Sequence, residues 1–358
     1  MKRWLCLLLV LILWGCEGKT TKNPPSPLYP LVTNEKPVEK TNSEDEERLL
    51  LSQDIMEVFS RILSKPMEKI TKEDLQGIRT YIPKKEDDHE TVLKILTDLE
   101  ELYLNPGVET EMDLSLIRNL PNLKVFTMSP SMAIDSLDFL TGLEQLERLR
   151  LDILETVDFQ PLSTLKQLKH LQLSFSNVEG EYPEIDLSQL PVMENLEKLE
   201  LEAYQFHHLD ALKNFPKLKA LKLGKSRDID LRALQQISQL ESVELPFLII
   251  ESIDFMQHMP NLKHLDISYN SFIKDLSPLQ TTLELESLNI YGTNISDLSP
   301  LANLPKLEYL NIANSQVTSI EPLLQLPNLK HIILNKNKIS DWEKLLEIPG
   351  LLIEDYEY

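Results

Sequence analysis

The side chains able to do chemistry are few and scattered. The chain of 358 residues holds 2 Cys, 7 His and 9 Gly. A thiol nucleophile or a zinc site needs cysteines within folded scaffolding, yet both Cys6 and Cys16 lie in the N-terminal segment. The histidines are His89, His170, His207, His208, His258, His264 and His331. His207-His208 is an adjacent pair, but no third ligand stands at a recognisable spacing from it. No Gly-x-Ser-x-Gly elbow occurs. Gly18-Lys19-Thr20 resembles only the end of a phosphate-binding loop, because Leu13 stands where its first glycine belongs. Paired carboxylates are everywhere, with 57 acidic against 36 basic residues and a formal charge of −21, so they single out nothing. The expectation is no catalytic residue, no metal, no cofactor and no small-molecule substrate. The same charge repels phosphate backbones, so nucleic acid is not expected as a partner.

The N-terminus sets Lys2 and Arg3 before an apolar run from Trp4 to Trp14. Such a run is too short for a bilayer core of roughly 30 Å and reads as an export signal. Leu13-Trp14-Gly15-Cys16 resembles a bacterial lipoprotein cleavage box, with Trp14 in place of the usual small or branched residue. The resemblance implies removal of residues 1–15 and acylation of Cys16, palmitate included. It also implies attachment to the bacterial cell envelope through that lipid. Glu17 lacks the Asp associated with inner-membrane retention, which favours the outer membrane or cell surface. An ordinary secretory signal with an incidental Cys is the alternative. Residues 16–42, with Pro24, Pro25, Pro27, Pro30 and Pro37, bury too little apolar surface to offset their ordering entropy, so a disordered tether is expected there.

The remainder repeats itself. A Leu-x-x-Leu-x-Leu pattern starts at Leu99, Leu123, Leu146, Leu168, Leu196, Leu218, Leu240, Leu262, Leu285, Leu307 and Leu329, about 22 residues apart, with one step of 28. Each run predicts a short strand with one buried face. Alone it is unstable; stacked in parallel roughly 4.8 Å apart, such strands bury a continuous leucine column. The ninth position holds Ser131, Ser176, Ser226, Asn270, Thr293, Ser315 and Asn337, which can bond backbone groups as the chain leaves the strand. The second position alternates in sign from Glu100 and Lys124 to Lys330, with one like-charge step at Glu286/Glu308, and predicts a structural ladder of cross-strand ion pairs. Outer segments such as Asp297–Pro305 carry prolines suited to short helical turns on the convex side.

Residues 99–350 resemble bacterial leucine-rich repeats of the 22-residue internalin type. The segment before them resembles the helical cap of such proteins. Leu51, Ile55, Val58, Phe59 and Ile62 form one stripe after a capping box of Ser43 and Glu46, Lys65-Pro66 ends that helix, and Thr71 caps another. The expected fold is an α/β solenoid, a right-handed arc with a parallel concave sheet. Its expected parts are a helical cap over residues 43–90, about 11 repeats over 91–350, and an acidic tail over 351–358 closing the far edge.

Positions three, five, seven and eight of each repeat vary and face the concave side. From the seventh repeat onward they gather Phe247, His264, Asp266, Tyr269, Asn289, Tyr291, Tyr309, Asn311 and His331, the expected contact surface for a protein partner. The alternative is that these aromatics only cover the leucine column. His264 and His331 fall three strands, roughly 14 Å, apart, too far to share a metal. The 28-residue step places extra residues near Glu179–Glu184, either a ligand-touching loop or a tolerated insertion. The resemblance implies a non-catalytic, membrane-anchored protein-binding module. An envelope scaffold or an inhibitor of an envelope enzyme is the alternative, and an enzyme is the least favoured reading.

Overall fold

The structure is a computed structural model that describes residues 51–84, 87–104, 112–129, 134, 136–153, 157–175, 184–227 and 229–357. The chain divides into Met1–Glu46 and Glu47–Tyr358, and the described residues all belong to the second unit. The signal segment, Cys16, the tether, Ser43, Glu46, Ser131, Ser176 and residues 179–183 lie outside them.

Helix α1, Gln53–Leu63, starts where the Ser52 side chain accepts from the Ile55 N–H and satisfies a donor the helix leaves unpaired. This start places Leu51 ahead of the helix rather than on its stripe, a correction to the expected boundary. Ile55, Val58 and Phe59 are buried, as one amphipathic face requires. Ser64 ends the helix in the left-handed region just before Lys65-Pro66. Helix α2, Lys72–Gln76, carries the expected Thr71 cap, completed by Asp74 into a reciprocal box. Two further elements were not expected, strand β1 (Thr80–Tyr81) and helix α3 (His89–Ile95). Between them Asp87 accepts from Tyr81 Oη at 3.2 Å and the Lys84 N–H at 2.9 Å, and pairs with Arg61 at 2.5 Å. Burial pushes the Tyr81 hydroxyl up and the neighbouring His89 imidazole down from their ordinary values.

Among the described residues, β1 and the repeats form one parallel sheet of 13 strands. In order these are β1, β2 (Glu101–Leu104), β3 (Val125–Met128), β4 (Arg148–Ile153), β5 (His170–Phe175), β7 (Lys198–Glu202), β9 (Ala220–Gly224), β10 (Ser242–Glu244), β11 (His264–Asp266), β12 (Ser287–Asn289), β13 (Tyr309–Asn311), β14 (His331–Leu334) and β15 (Leu352–Asp355). Register follows the leucine runs: third-position residues lie opposite one another, Ser242 beside His264 and Tyr309 beside His331. Each strand's leucines at positions one, four and six are buried in a single core. The return segments are short 3₁₀ helices, including Ser277–Thr281, Ser299–Leu301 and Glu321–Gln325 with Pro in the first turn.

At the ninth position Asn270 Nδ2 donates to the carbonyls of Leu245, Ile267 and Ser268, while Thr293 and Ser315 each donate to one carbonyl three residues back. Second-position pairs include Lys124–Glu100 at 2.6 Å, Lys169–Glu147 at 2.9 Å and Lys330–Glu308 at 2.6 Å. Glu184, expected in a loop, instead opens strand β6 (Glu184–Asp186), which pairs with β8 (Gln205–His207) in a second, two-stranded parallel sheet. His207 and His208 there face Glu184 and Asp186, at 3.0 and 2.8 Å. The tail expected to close the far edge contributes β15, because Leu352 and Ile353 continue the pairing from His331 and Ile332. It extends the sheet, and no described residue pairs with its outer edge.

Candidate functional site

Where a strand ends, the chain must turn away while its N–H groups stay paired. At the eighth position it does so in the left-handed region, at Lys225, Phe247, Tyr269, Gly292 and Asn314, with φ of 68°, 58°, 60°, 69° and 58°. The turn aims each N–H at the next repeat: Phe247 N donates to Ser268 O at 3.2 Å, Tyr269 N to Tyr291 O at 2.7 Å and Gly292 N to Ala313 O at 3.2 Å. Glycine adopts this conformation freely and asparagine readily, but it costs Phe or Tyr roughly 1–2 kcal/mol.

The consequence is a row of rings. Phe247 stacks on Tyr269 with centroids 4.0 Å apart and planes at 13°; Tyr269 meets Tyr291 at 4.9 Å, and Tyr291 meets Tyr356 edge-on at 5.2 Å. The Tyr291 and Tyr356 hydroxyls are 3.0 Å apart, and that hydrogen bond raises the Tyr291 hydroxyl above its ordinary value. Phe247 and Tyr269 remain 58% and 46% exposed. Ile249 and Phe272, slightly further along the same two repeats, are exposed as well. Tyr356, missed by sequence reasoning, follows β15 and reaches back past Ala313 and Asn335, the small seventh-position residues of the intervening repeats. Asn335 Nδ2 holds its carbonyl at 2.6 Å. Its signal in the sequence was an aromatic in register with Tyr291, visible only once Leu352 is paired with His331.

The other expected residues divide. Asp266 Oδ1 accepts from Ser268 N at 2.8 Å, Asn289 Oδ1 from Tyr291 N at 3.1 Å and Asn311 Oδ1 from Ala313 N at 3.1 Å, so each helps turn its own strand end. Asn289 Nδ2 also donates to Asp266 Oδ2 at 2.9 Å. Tyr309 and His331 form a separate edge-on pair at 5.1 Å, and His331 Nε2 lies 3.0 Å from Glu354 without the alignment of a hydrogen bond. His264 is exposed on β11, three strands from His331.

Charge on the face is mostly compensated. Glu200 receives His170 at 3.0 Å and Lys198 at 2.6 Å, and the His170 hydrogen bond leads in holding its carboxyl at about 2 despite burial. Glu202 has Lys225 at 2.6 Å and Lys222 at 3.9 Å. A groove of about 590 Å³ beside the second-position row is lined by Glu197, Lys219, Glu241 and Lys263, among others, and both of these lysines bind Glu241. Among the described residues no three His, Cys, Asp or Glu side chains converge as a metal site, and no helix is long and apolar enough to cross a membrane.

Residues 284–325 match the family model for leucine-rich repeats in two copies. The fold is a leucine-rich-repeat solenoid. The chain is similar to an internalin, inlF, of Listeria monocytogenes, with a TM-score of 0.61 and 21% identity, covering 86% of this chain and 95% of that one. It is also similar to internalin C2 of the same species, with a TM-score of 0.40 and 21% identity over 79% and 93% of the two chains. For a leucine-rich-repeat protein of Leptospira interrogans the TM-score is 0.49 and identity 18%, over 74% of each chain. No curated protein matches the chain. At such identities the likeness is one of fold. In this fold the strands line the inner face of a horseshoe, and the ring row sits where they end.

Proposed function

We propose that the chain is a non-catalytic protein-binding module whose inner face docks its partner through the Phe247–Tyr269–Tyr291–Tyr356 row. The observation that carries this reading is the row itself: rings left exposed on a rigid sheet, two of them held in a backbone conformation that works against stability. Thirteen strands at roughly 4.8 Å give about 60 Å of face, ample for an interface of ordinary size. The test is crosslinked capture from an envelope extract by the full chain and by Tyr269→Ala/Tyr291→Ala. At least one protein should be lost with the variant; equal recovery of every captured protein would overturn the reading. Reproducible turnover of an ester, peptide or glycan by the purified chain would overturn its non-catalytic part.

The Leu13-Trp14-Gly15-Cys16 box supports attachment of this module to the bacterial envelope by acylation of Cys16, with the outer membrane or cell surface favoured. Cys16→Ser should abolish incorporation of labelled palmitate and move the chain to the soluble fraction. Unchanged labelling would remove the anchor from the proposal.

A further inference from the structure

The ring stack has an anionic foot. Three residues before Phe247 and Tyr269, on β10 and β11, stand Glu244 and Asp266, partners in register across the two strands. Like charges placed directly opposite destabilise a sheet. Other carboxylates on the face are in ion-pair contact with lysines, Glu200 with Lys198 and Glu202 with Lys225. Among the described residues, Glu244 and Asp266 are not. Asp266 has hydrogen bonds from neutral donors, Ser268 N and Asn289 Nδ2. The Glu244 carboxylate has no hydrogen bond or ion pair among the described residues, and Lys222, its partner in register on β9, lies 3.9 Å from Glu202. Two partly exposed carboxylates, with no cation in ion-pair contact among the described residues, therefore sit beside two exposed rings, in a chain of formal charge −21.

We propose that this two-strand site takes a Lys or Arg side chain presented by a basic segment of the partner protein. The cation sits between Glu244 and Asp266, and its aliphatic stem lies along Phe247 and Tyr269, where a ring also attracts the charge. The assignment rests on the protein-binding reading above and adds the partner's chemistry to it. Net charge alone would draw cationic segments anywhere on the surface, but that attraction is screened by salt and indifferent to which two carboxylates are removed.

The test pans a displayed library of random short peptides against the full chain at physiological salt. Synthesised winners are then titrated against four proteins: wild type, Glu244→Gln/Asp266→Asn, Phe247→Ala/Tyr269→Ala, and Glu343→Gln/Glu347→Gln. The last removes the same formal charge from exposed positions on the outer turn Trp342–Glu347. Winners should carry Lys or Arg, bind Glu244→Gln/Asp266→Asn about tenfold more weakly, as loss of a charge-assisted contact predicts, and bind the Glu343/Glu347 variant nearly as well as wild type. Asn at 266 can still accept from Ser268 N, so the strand end is kept. Winners that need the rings but lack basic residues would overturn the basic assignment and leave protein docking standing. Equal weakening by the Glu343/Glu347 variant would overturn the local site in favour of overall charge. Winners indifferent to Phe247→Ala/Tyr269→Ala, or no winners on wild type, would overturn both readings.

Discussion

Tyr269→Gly should leave the protein more stable than Tyr269→Ala, the reverse of what either residue would do in an ordinary strand or helix. Tyr269 has a φ of 60°, and its N–H is committed to Tyr291 O at 2.7 Å, so the turn cannot relax without breaking the link to the next repeat. Alanine keeps a Cβ and with it a left-handed cost of roughly 1–2 kcal/mol, which glycine does not incur. Glycine loses roughly 0.5–1 kcal/mol more conformational freedom on folding, so the net advantage over alanine is about 0.5–1 kcal/mol. Both variants delete the same ring and its contacts with Phe247 and Tyr291, so those losses cancel in the comparison. The next repeat supplies the mirror experiment: Gly292, at the equivalent position, has a φ of 69°, and a Cβ there would meet Tyr269 Cδ1 at 3.4 Å. Gly292→Ala should therefore lose about 0.5–1 kcal/mol by the same balance. Urea midpoints at unchanged slope give the ordering. Alanine equal to or better than glycine at position 269 would refute the strained turn, and with it the claim that the rings are held against a stability cost.

Glu200→Gln should destabilise the protein by up to about 3 kcal/mol at pH 7, because its carboxyl falls from 4.5 to about 2 and each unit corresponds to about 1.4 kcal/mol. The folded-state value is depressed, so the contribution is complete above the unfolded value and fades as pH drops from 4.5 toward 2. Urea titrations at pH 7, 4 and 2.5 would show the gap between Glu200→Gln and wild type closing, and a pH-independent gap would refute the His170–Glu200–Lys198 account. Asn270→Ala should cost about 2–3 kcal/mol, since it strips a donor from three carbonyls in a buried setting, against about 1 kcal/mol for Thr293→Val, which strips one. Equal losses in thermal or urea unfolding would show that the ninth-position residues are interchangeable.

The stacking of the repeats was legible because a period accumulates: one Leu-x-x-Leu-x-Leu run says little, but its recurrence fixes which residues share the core and which lie opposite in register. The left-handed eighth position was also legible in principle. Gly292 and Asn314 occupy it in adjacent repeats, and the presence of Lys225, Phe247 and Tyr269 in the same column hid the requirement. Asp266, Asn289 and Asn311 were read as contact residues because side chains on the concave positions are free to vary. That reading missed the competing use of a short amide or carboxylate to accept the N–H two residues on. Other features depend on pairings between segments that carry no repeat. Tyr81 and Asp87 close on Arg61, β6 finds β8, and Tyr356 finds Tyr291 across 65 residues of chain. None of these has a period to announce it.

A solenoid explains how strained rings can be kept at all. Each repeat touches mainly its neighbours, so a local cost stays local and is set against the local core. Burying a leucine contributes roughly 1.5–3 kcal/mol, and Leu262 and Leu265 with Ile267 supply three such side chains in the repeat that carries Tyr269. That exceeds the left-handed cost of one tyrosine before any neighbour is counted. The far end of the row has no such margin. Tyr356 follows β15, whose Leu352 is half exposed and whose outer edge no described residue covers. Tyr291 thus has one ring neighbour, Tyr269, anchored within the array and another, Tyr356, that is in place only while β15 is docked. A partner docking as proposed over the whole row would therefore touch rings from both sides of this divide, and loss of β15 would remove Tyr356 while leaving the Phe247–Tyr269 stack in place.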